Sequence, residues 1–189
     1  MVASRIAAIV PAAGLSRRSG AVNKLLHPIN DRPMVRQVVD RLVSLPIDPV
    51  IVVTGFEAPK IIAALAGCPV RIIHNAAFED GMAGTIRCGV AALAEDDVDG
   101  ALICLADMPY VTRDTIECLM RDLLPDRICI PVADGRRGNP VLFGRRYFSA
   151  LMEISGDRGG KEILRDHPDG VHQVPVDDNG IFVDLDVIG

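Results

Sequence analysis

Three stretches carry residues whose types and spacing could do chemistry. The first follows the apolar run Ile6–Val10 and reads Pro11-Ala12-Ala13-Gly14-Leu15-Ser16-Arg17-Arg18-Ser19-Gly20-Ala21-Val22-Asn23-Lys24. Gly14 and Gly20 free the backbone for close approach by a ligand. Ala12 and Ala13 keep the side chains small, and successive exposed N–H groups in such a loop make a nest for an anion. Arg17, Arg18 and Lys24 add fixed positive charge. Residues 17–41 hold six basic and two acidic side chains, a local excess of four positive charges in a chain of net −5. Charge concentrated in this way points to a phosphate-rich ligand. The bland alternative is a solvated charged loop.

The second stretch, Leu105-Ala106-Asp107-Met108-Pro109, closes another apolar run. A carboxylate there offers a hard oxygen of the kind Mg²⁺ takes, one or two at a time, alongside phosphate oxygens and water. A helix or turn cap before Pro109 is the alternative. The third stretch is Phe182-Val183-Asp184-Leu185-Asp186. Two acids alternating on an exposed edge strand would explain it without any ligand.

Three further constellations are weaker. Asn75 follows an apolar run, and Gly81-Met82-Ala83-Gly84-Thr85-Ile86-Arg87 comes soon after. Thr85 reads as the cap of a helix to about Leu93, whose free N–H groups would welcome an anion. Gly135-Arg136-Arg137-Gly138-Asn139-Pro140 could hold an anion or be a plain hairpin turn. Gly156-Asp157-Arg158-Gly159-Gly160-Lys161 is another Gly-rich charged loop.

The elements that must position these residues follow from hydrophobic patterning. Ile6–Val10, Val50–Val53 and Ala101–Ala106 are continuous apolar runs that read as strands buried on both faces, Val70–Ile73 reads as another despite Arg71, and Ile128–Ile130 and Val141–Phe143 are shorter ones. Between them Val35, Val38, Val39, Leu42 and Val43 repeat with helical spacing. So do Ile116, Leu119, Met120 and Leu123, behind Asp114 and Glu117 at capping-box spacing. Strand–helix alternation predicts an α/β fold, a mostly parallel sheet with helices on both faces. Ligands of such sheets bind at the carboxyl ends of the strands.

Composition narrows the function classes. The 189 residues predict one domain, residues 1–189. Aromatics are 4%, Trp is absent, and acids outnumber Lys plus Arg by 25 to 20, which argues against nucleic-acid binding. No run is long enough for a membrane span, and the first apolar run is too short for a signal peptide. The five cysteines lack metal or dithiol spacing and read as buried hydrophobes in a reducing, cytoplasmic setting. Walker A and Gly-x-Gly-x-x-Gly patterns are both missing, which disfavours a dinucleotide oxidoreductase.

The first loop resembles the Leu-Ala-Ala-Gly-x-Ser-x-Arg-Met-Gly-x-x-Lys signature of the molybdenum-cofactor nucleotidyltransferases. Pro11 stands for Leu, Ser19 for Met, and three residues rather than two separate Gly20 from Lys24. Leu105-Ala106-Asp107-Met108-Pro109 matches that family's block over five residues. The resemblance runs from about Ile6 to Asp186. It implies a three-layer Rossmann-like nucleotidyltransferase fold and transfer of a nucleoside monophosphate from a triphosphate to a phosphate-bearing acceptor. Arg18, Lys24 and Asp107 would be catalytic. Ala12, Ala13, Gly14, Ser16, Arg17, Asn75, Gly81 and Thr85 would bind the nucleotide. Asp107 and Asp184 would hold Mg²⁺, and Arg137, Asn139, Asp157 and Lys161 would hold the acceptor. The half up to about residue 110 would bind the nucleotide and the half from about 111 the acceptor.

Ala12-Ala13-Gly14 resembles the cytidylyl members, so CTP and a molybdopterin acceptor are expected, with handover to a molybdoenzyme or its chaperone. Guanylyl transfer, the isoprenoid-pathway cytidylyltransferase and sugar-phosphate nucleotidyltransferases are the enzyme alternatives. A non-catalytic nucleotide-binding or cofactor-insertion module is the alternative of another class, since Gly84 and Asn139 depart from the family's Ser and His.

Overall fold

The computed structural model describes residues 4–15, 23–156 and 160–185. β1 (Ile6–Ala12) is buried at every position, as a strand covered on both faces must be. It lies parallel to β4 (Val50–Thr54) on one side and to β6 (Gly100–Ile103) on the other. β5 (Arg71–His74) extends the sheet beyond β4, also parallel. On the far side β9 (Val141–Gly144) runs antiparallel between β6 and β7 (Ile128–Ala133), and β10 (Val171–Pro175) lies parallel to β7. The order across the sheet is β10-β7-β9-β6-β1-β4-β5, with the short β8 (Arg136–Arg137) hairpinned onto β7. A second small hairpin joins β2 (Pro28–Ile29) and β3 (Arg32–Pro33).

Alternation along β1 splits the core in two. Ile6, Ala8 and Val10 face α1 (Met34–Val43), α2 (Ala58–Ala64) and α4 (Arg113–Arg121), where Val35, Val39, Ile61, Ile116 and Leu119 are buried. Ala7 and Ile9 face α3 (Met82–Ala91), α5 (Phe148–Glu153) and α6 (Lys161–Asp166), where Ile86, Val90, Leu151 and Ile163 are buried. Each such aliphatic side chain contributes on the order of 1.5–3 kcal/mol by leaving water. A charge placed at Val39 or Ile86 would therefore open the corresponding layer.

The expected mostly parallel, doubly covered sheet is present, with four differences in detail. Val70–Ile73 is shifted by one residue and forms an edge strand with exposed ends rather than a strand buried on both faces. β6 stops at Ile103, so Leu105–Pro109 is loop. Thr85 lies inside α3, which starts at Met82 after Gly81 (φ 100) with no side-chain cap. The cap of α4 is Thr112, whose hydroxyl accepts from Thr115 N, not the Asp114–Glu117 pair. Among the described residues no helix is long and apolar enough to cross a membrane.

Candidate active site

β1, β4 and β6 end on the same side of the sheet, and the chain leaves β1 towards β4 but leaves β6 towards β7, in the opposite direction. That switch point is where an open sheet offers a crevice. Ala12 and Ala13 are buried at the end of β1. Ala13 O accepts from Phe56 N, which ties the start of the first loop to the end of β4. Among the described residues no atom lies within 4 Å of where a Cβ on Gly14 would stand. Ser16, Arg17 and Arg18 lie outside the described residues.

Asn23 is buried. Its Oδ1 accepts from Leu25 N at 3.1 Å, and its Nδ2 reaches Phe56 O at 3.5 Å. These contacts set the 3-10 turn Lys24–Leu26 against the end of β4 and aim Lys24 at the loop after β6. Lys24 Nζ meets Asp107 Oδ2 at 2.7 Å, and the two side chains are 18% and 20% exposed. Residues 83 positions apart, each singled out from sequence, thus form one half-buried ion pair. Beneath it Arg41 Nη1 donates to Pro109 O at 2.9 Å and holds the Asp107 loop from the helical layer.

Lys24 and Asp107 line one end of a cleft of about 1020 Å³. Asp184, Arg136, Arg137, Asn139 and Lys161 line it as well, and Ile103, Ile130, Val141, Phe143 and Ile181 give it an apolar floor. Arg137 and Lys161 are exposed. The β7–β8 turn is Asp134-Gly135, with φ of 49° and 71°, the paired left-handed conformation of a two-residue hairpin. The hairpin therefore exists, and it delivers Arg136 and Arg137 to the cleft. Arg136 stacks over the Phe182 ring at 4.4 Å. Asp157 and Asp186 lie outside the described residues.

Asp184 is not on an edge strand. It follows the 3-10 turn Asn179–Phe182, in a strap from Asp178 to Leu185 that contributes Ile181, Phe182 and Asp184 to the cleft lining. Leu185 N donates to Asp107 O at 2.9 Å, and Asn139 N donates to Ile181 O at 3.0 Å. A Cβ on Gly138 would stand 2.6 Å from Ile181, so only glycine lets the strap lie this close to the hairpin. Asp178 was not visible as a site residue in the sequence. It is buried and accepts from Thr112 N, Thr112 Oγ1, Thr115 Oγ1 and Gly180 N, at 2.7–2.9 Å. Burial alone would raise its pKa, but the donated hydrogen bonds from Thr112, Thr115 and Gly180 outweigh that and hold it below the ordinary value.

Asn75 and Thr85 are brought together away from that lining. Both are buried, and Asn75 Nδ2 donates to Thr85 Oγ1 at 3.2 Å while Asn75 Oδ1 accepts from Ala77 N at 3.0 Å. Their bond locks the end of β5 to α3, and Met82 of the same helix reaches the cleft. The cysteines are all free thiols. Burial pushes Cys104 up to about 12 and Cys129 up to about 11, which leaves both inert at neutral pH.

Among the described residues no group of three or more His, Cys, Asp or Glu could hold a metal. Asp107 and Asp184 supply hard oxygens only, from two carboxylates. That donor set fits a magnesium-like ion completed by substrate phosphates and water, not a closed protein cage.

The fold and the cleft define a Rossmann-like nucleotidyltransferase. The sequence matches the MobA-like NTP transferase domain over residues 8–171, and the chain belongs to that family. It is similar to nicotine blue oxidoreductase of Paenarthrobacter nicotinovorans, 26% identical over 191 residues, which cover 97% of this chain and 93% of that one. It is also similar to the bifunctional protein GlmU of a Geobacillus species, 28% identical over 172 residues. The match takes in 89% of this chain but 35% of GlmU, so the chain spans about a third of that relative. Among solved structures, Rv0371c of Mycobacterium tuberculosis superposes with a TM-score of 0.86 at 25% identity, over 98% of this chain and 95% of that one. The same protein in complex with manganese superposes at 0.78 with 24% identity, over 98% of this chain and 94% of that one.

Proposed function

We propose that this protein moves a nucleoside monophosphate from CTP to the phosphate of a molybdopterin-type acceptor and releases pyrophosphate. The observation that carries the proposal is the Lys24–Asp107 ion pair at the switch point, with Asp184 in the same cleft. An oxygen of the acceptor phosphate attacks the α-phosphorus as the bond to the β-phosphate breaks. The nucleophile is already ionised at neutral pH, so no strong base is required, and catalysis is positioning plus charge neutralisation.

The N–H groups of Ala12, Ala13 and Gly14 cradle the triphosphate, with Ser16 and Arg17. Arg18 and Lys24 neutralise the leaving pyrophosphate. A bound Mg²⁺ would supply Lewis-acid neutralisation of phosphate charge. Asp107 and Asp184 are the side chains that would hold it. Asn75, Gly81 and Thr85 shape the nucleoside side. Arg137, Asn139, Asp157 and Lys161 receive the acceptor, whose ring lies on the apolar floor. A nucleotide half up to about residue 110 and an acceptor half from about 111 thus share one domain. The product passes to a molybdoenzyme or its chaperone in the cytoplasm. Preference for CTP rests on Ala12-Ala13-Gly14.

The test is pyrophosphate release with CTP, GTP, UTP and ATP, each against molybdopterin, a polyol phosphate and a sugar phosphate. CTP with molybdopterin is expected to be fastest, and faster turnover of any other pair overturns the substrate assignment. A second reading is favoured by the near full-length match to a protein named as an oxidoreductase. An organic substrate bound in the cleft, with no pyrophosphate from any triphosphate, would support it instead.

A further inference from the structure

We propose that Asp178 is a positioning residue for the metal-bearing carboxylates, acting through the strap that carries Asp184. The inference rests on the reading of Asp107 and Asp184 as the metal pair. Asp178 is 7% exposed and its carboxylate accepts four hydrogen bonds. Two donors are on Thr112, at the end of the segment that begins with Asp107. A third is on Thr115, in the first turn of α4. The fourth, Gly180 N, belongs to the strap. One charged acceptor therefore couples the strap to the segment that carries Asp107.

Two backbone bonds continue that coupling on either side of Asp184. Ile181 O accepts from Asn139 N, and Leu185 N donates to Asp107 O. Asp184 is held between these two fixed points, and Asp178 anchors the end from which the strap departs. An ionised acceptor satisfied by four donors is costly to move, so it fixes the strap's register more firmly than apolar contact would. Simple capping of α4 needs only the bonds to Thr112 and Thr115. The Gly180 bond caps the 3-10 turn Asn179–Phe182, and capping of α4 alone leaves the strap's continuation to Asp184 unexplained.

The two roles separate in a double-mutant cycle on Mn²⁺ binding, read by the loss of the free-ion resonance as protein is added. Asp178→Asn is expected to weaken Mn²⁺ binding by about tenfold, the lower end for loss of an outer partner of a metal ligand, and Asp184→Asn, which removes the ligand itself, by at least as much. The double variant should bind no more weakly than Asp184→Asn alone. Unchanged Mn²⁺ affinity in Asp178→Asn, or a loss that adds fully to that of Asp184→Asn, overturns the proposal. Wild-type affinity in both Asp107→Asn and Asp184→Asn would instead remove the metal reading, and this inference with it. Should Asp178→Asn fail to fold, Thr115→Val removes one donor and enters the same cycle, with a loss of about threefold expected for one hydrogen bond.

Discussion

The wall of the cleft built on β1 and β6 carries its charges half-buried and paired, with Lys24 and Asp107 only 18% and 20% exposed. The wall built on β8 and α6 carries Arg137 and Lys161 in the open. Behind the first wall lie two strands buried at every position. Behind the second lie a two-residue strand and a six-residue helix. The first wall is pre-set, and its side chains are held by the fold before any ligand arrives. The second offers charge without fixing it, which suits capture of an anionic partner more than stabilisation of a transition state. Chemistry and binding should therefore separate between the walls, and substitutions can break or sharpen that division.

The largest effect is expected at Asp107. Asp107→Ala should lower metal-dependent pyrophosphate release by about 10³-fold or more while the thermal melt stays cooperative. Near-normal turnover would leave the first wall with no catalytic part. Lys24→Ala should lower kcat by about 10²-fold, as expected for loss of one preorganised charge. A change confined to melting temperature would make Lys24 structural.

The strap between the walls should show itself in acid. The pKa of Asp178 is lowered on folding, so its contribution to stability is full above the unfolded value of about 3.9 and is lost as pH falls through the folded value. Denaturant melts of Asp178→Asn and wild type should therefore differ by about 2 kcal/mol at pH 7 and converge as pH falls through that folded value. A difference that persists in acid would assign the effect to packing.

On the second wall, Arg137→Ala should raise the acceptor KM by about tenfold with kcat nearly unchanged, the mark of uniform binding. A matching fall in kcat would erase the contrast. The smallest effect is expected at Gly84, inside α3. A Cβ there would meet Asn75 Nδ2 and Arg87 Nη2 at 3.7 and 3.8 Å, ordinary contact distances. Gly84→Ala should thus add about 0.5–1 kcal/mol of stability by helix propensity, read as a higher denaturation midpoint.

Much of the first wall was legible because it is local. An apolar run followed by small and cationic residues, and a second run closed by an acid, are patterns carried in consecutive residues. The parallel core strands were readable for the same reason. The direction of β9 was not, because an apolar run such as Val141–Phe143 carries no arrow, and only its neighbours β6 and β7 make it antiparallel. Thr85 looked like a helix cap because a hydroxyl near a helix start usually is one. In the fold its partner is Asn75, ten residues away, and α3 begins a turn earlier. Asp178 was invisible for a stronger version of that reason. Its partners on Thr112 and Thr115 lie 66 and 63 positions away, beyond any spacing rule.

Leu185 donates to the carbonyl of Asp107, and Ile181 accepts from Asn139. Those bonds give the molecule an order of completion. On a ribosome the central strands β1, β4 and β6 emerge early and can pair while the chain is still growing. The cleft lining stays unfinished until the strap, which follows those strands in the chain, arrives and is stitched into it. A nascent chain would thus own a sheet before it owned a working pocket.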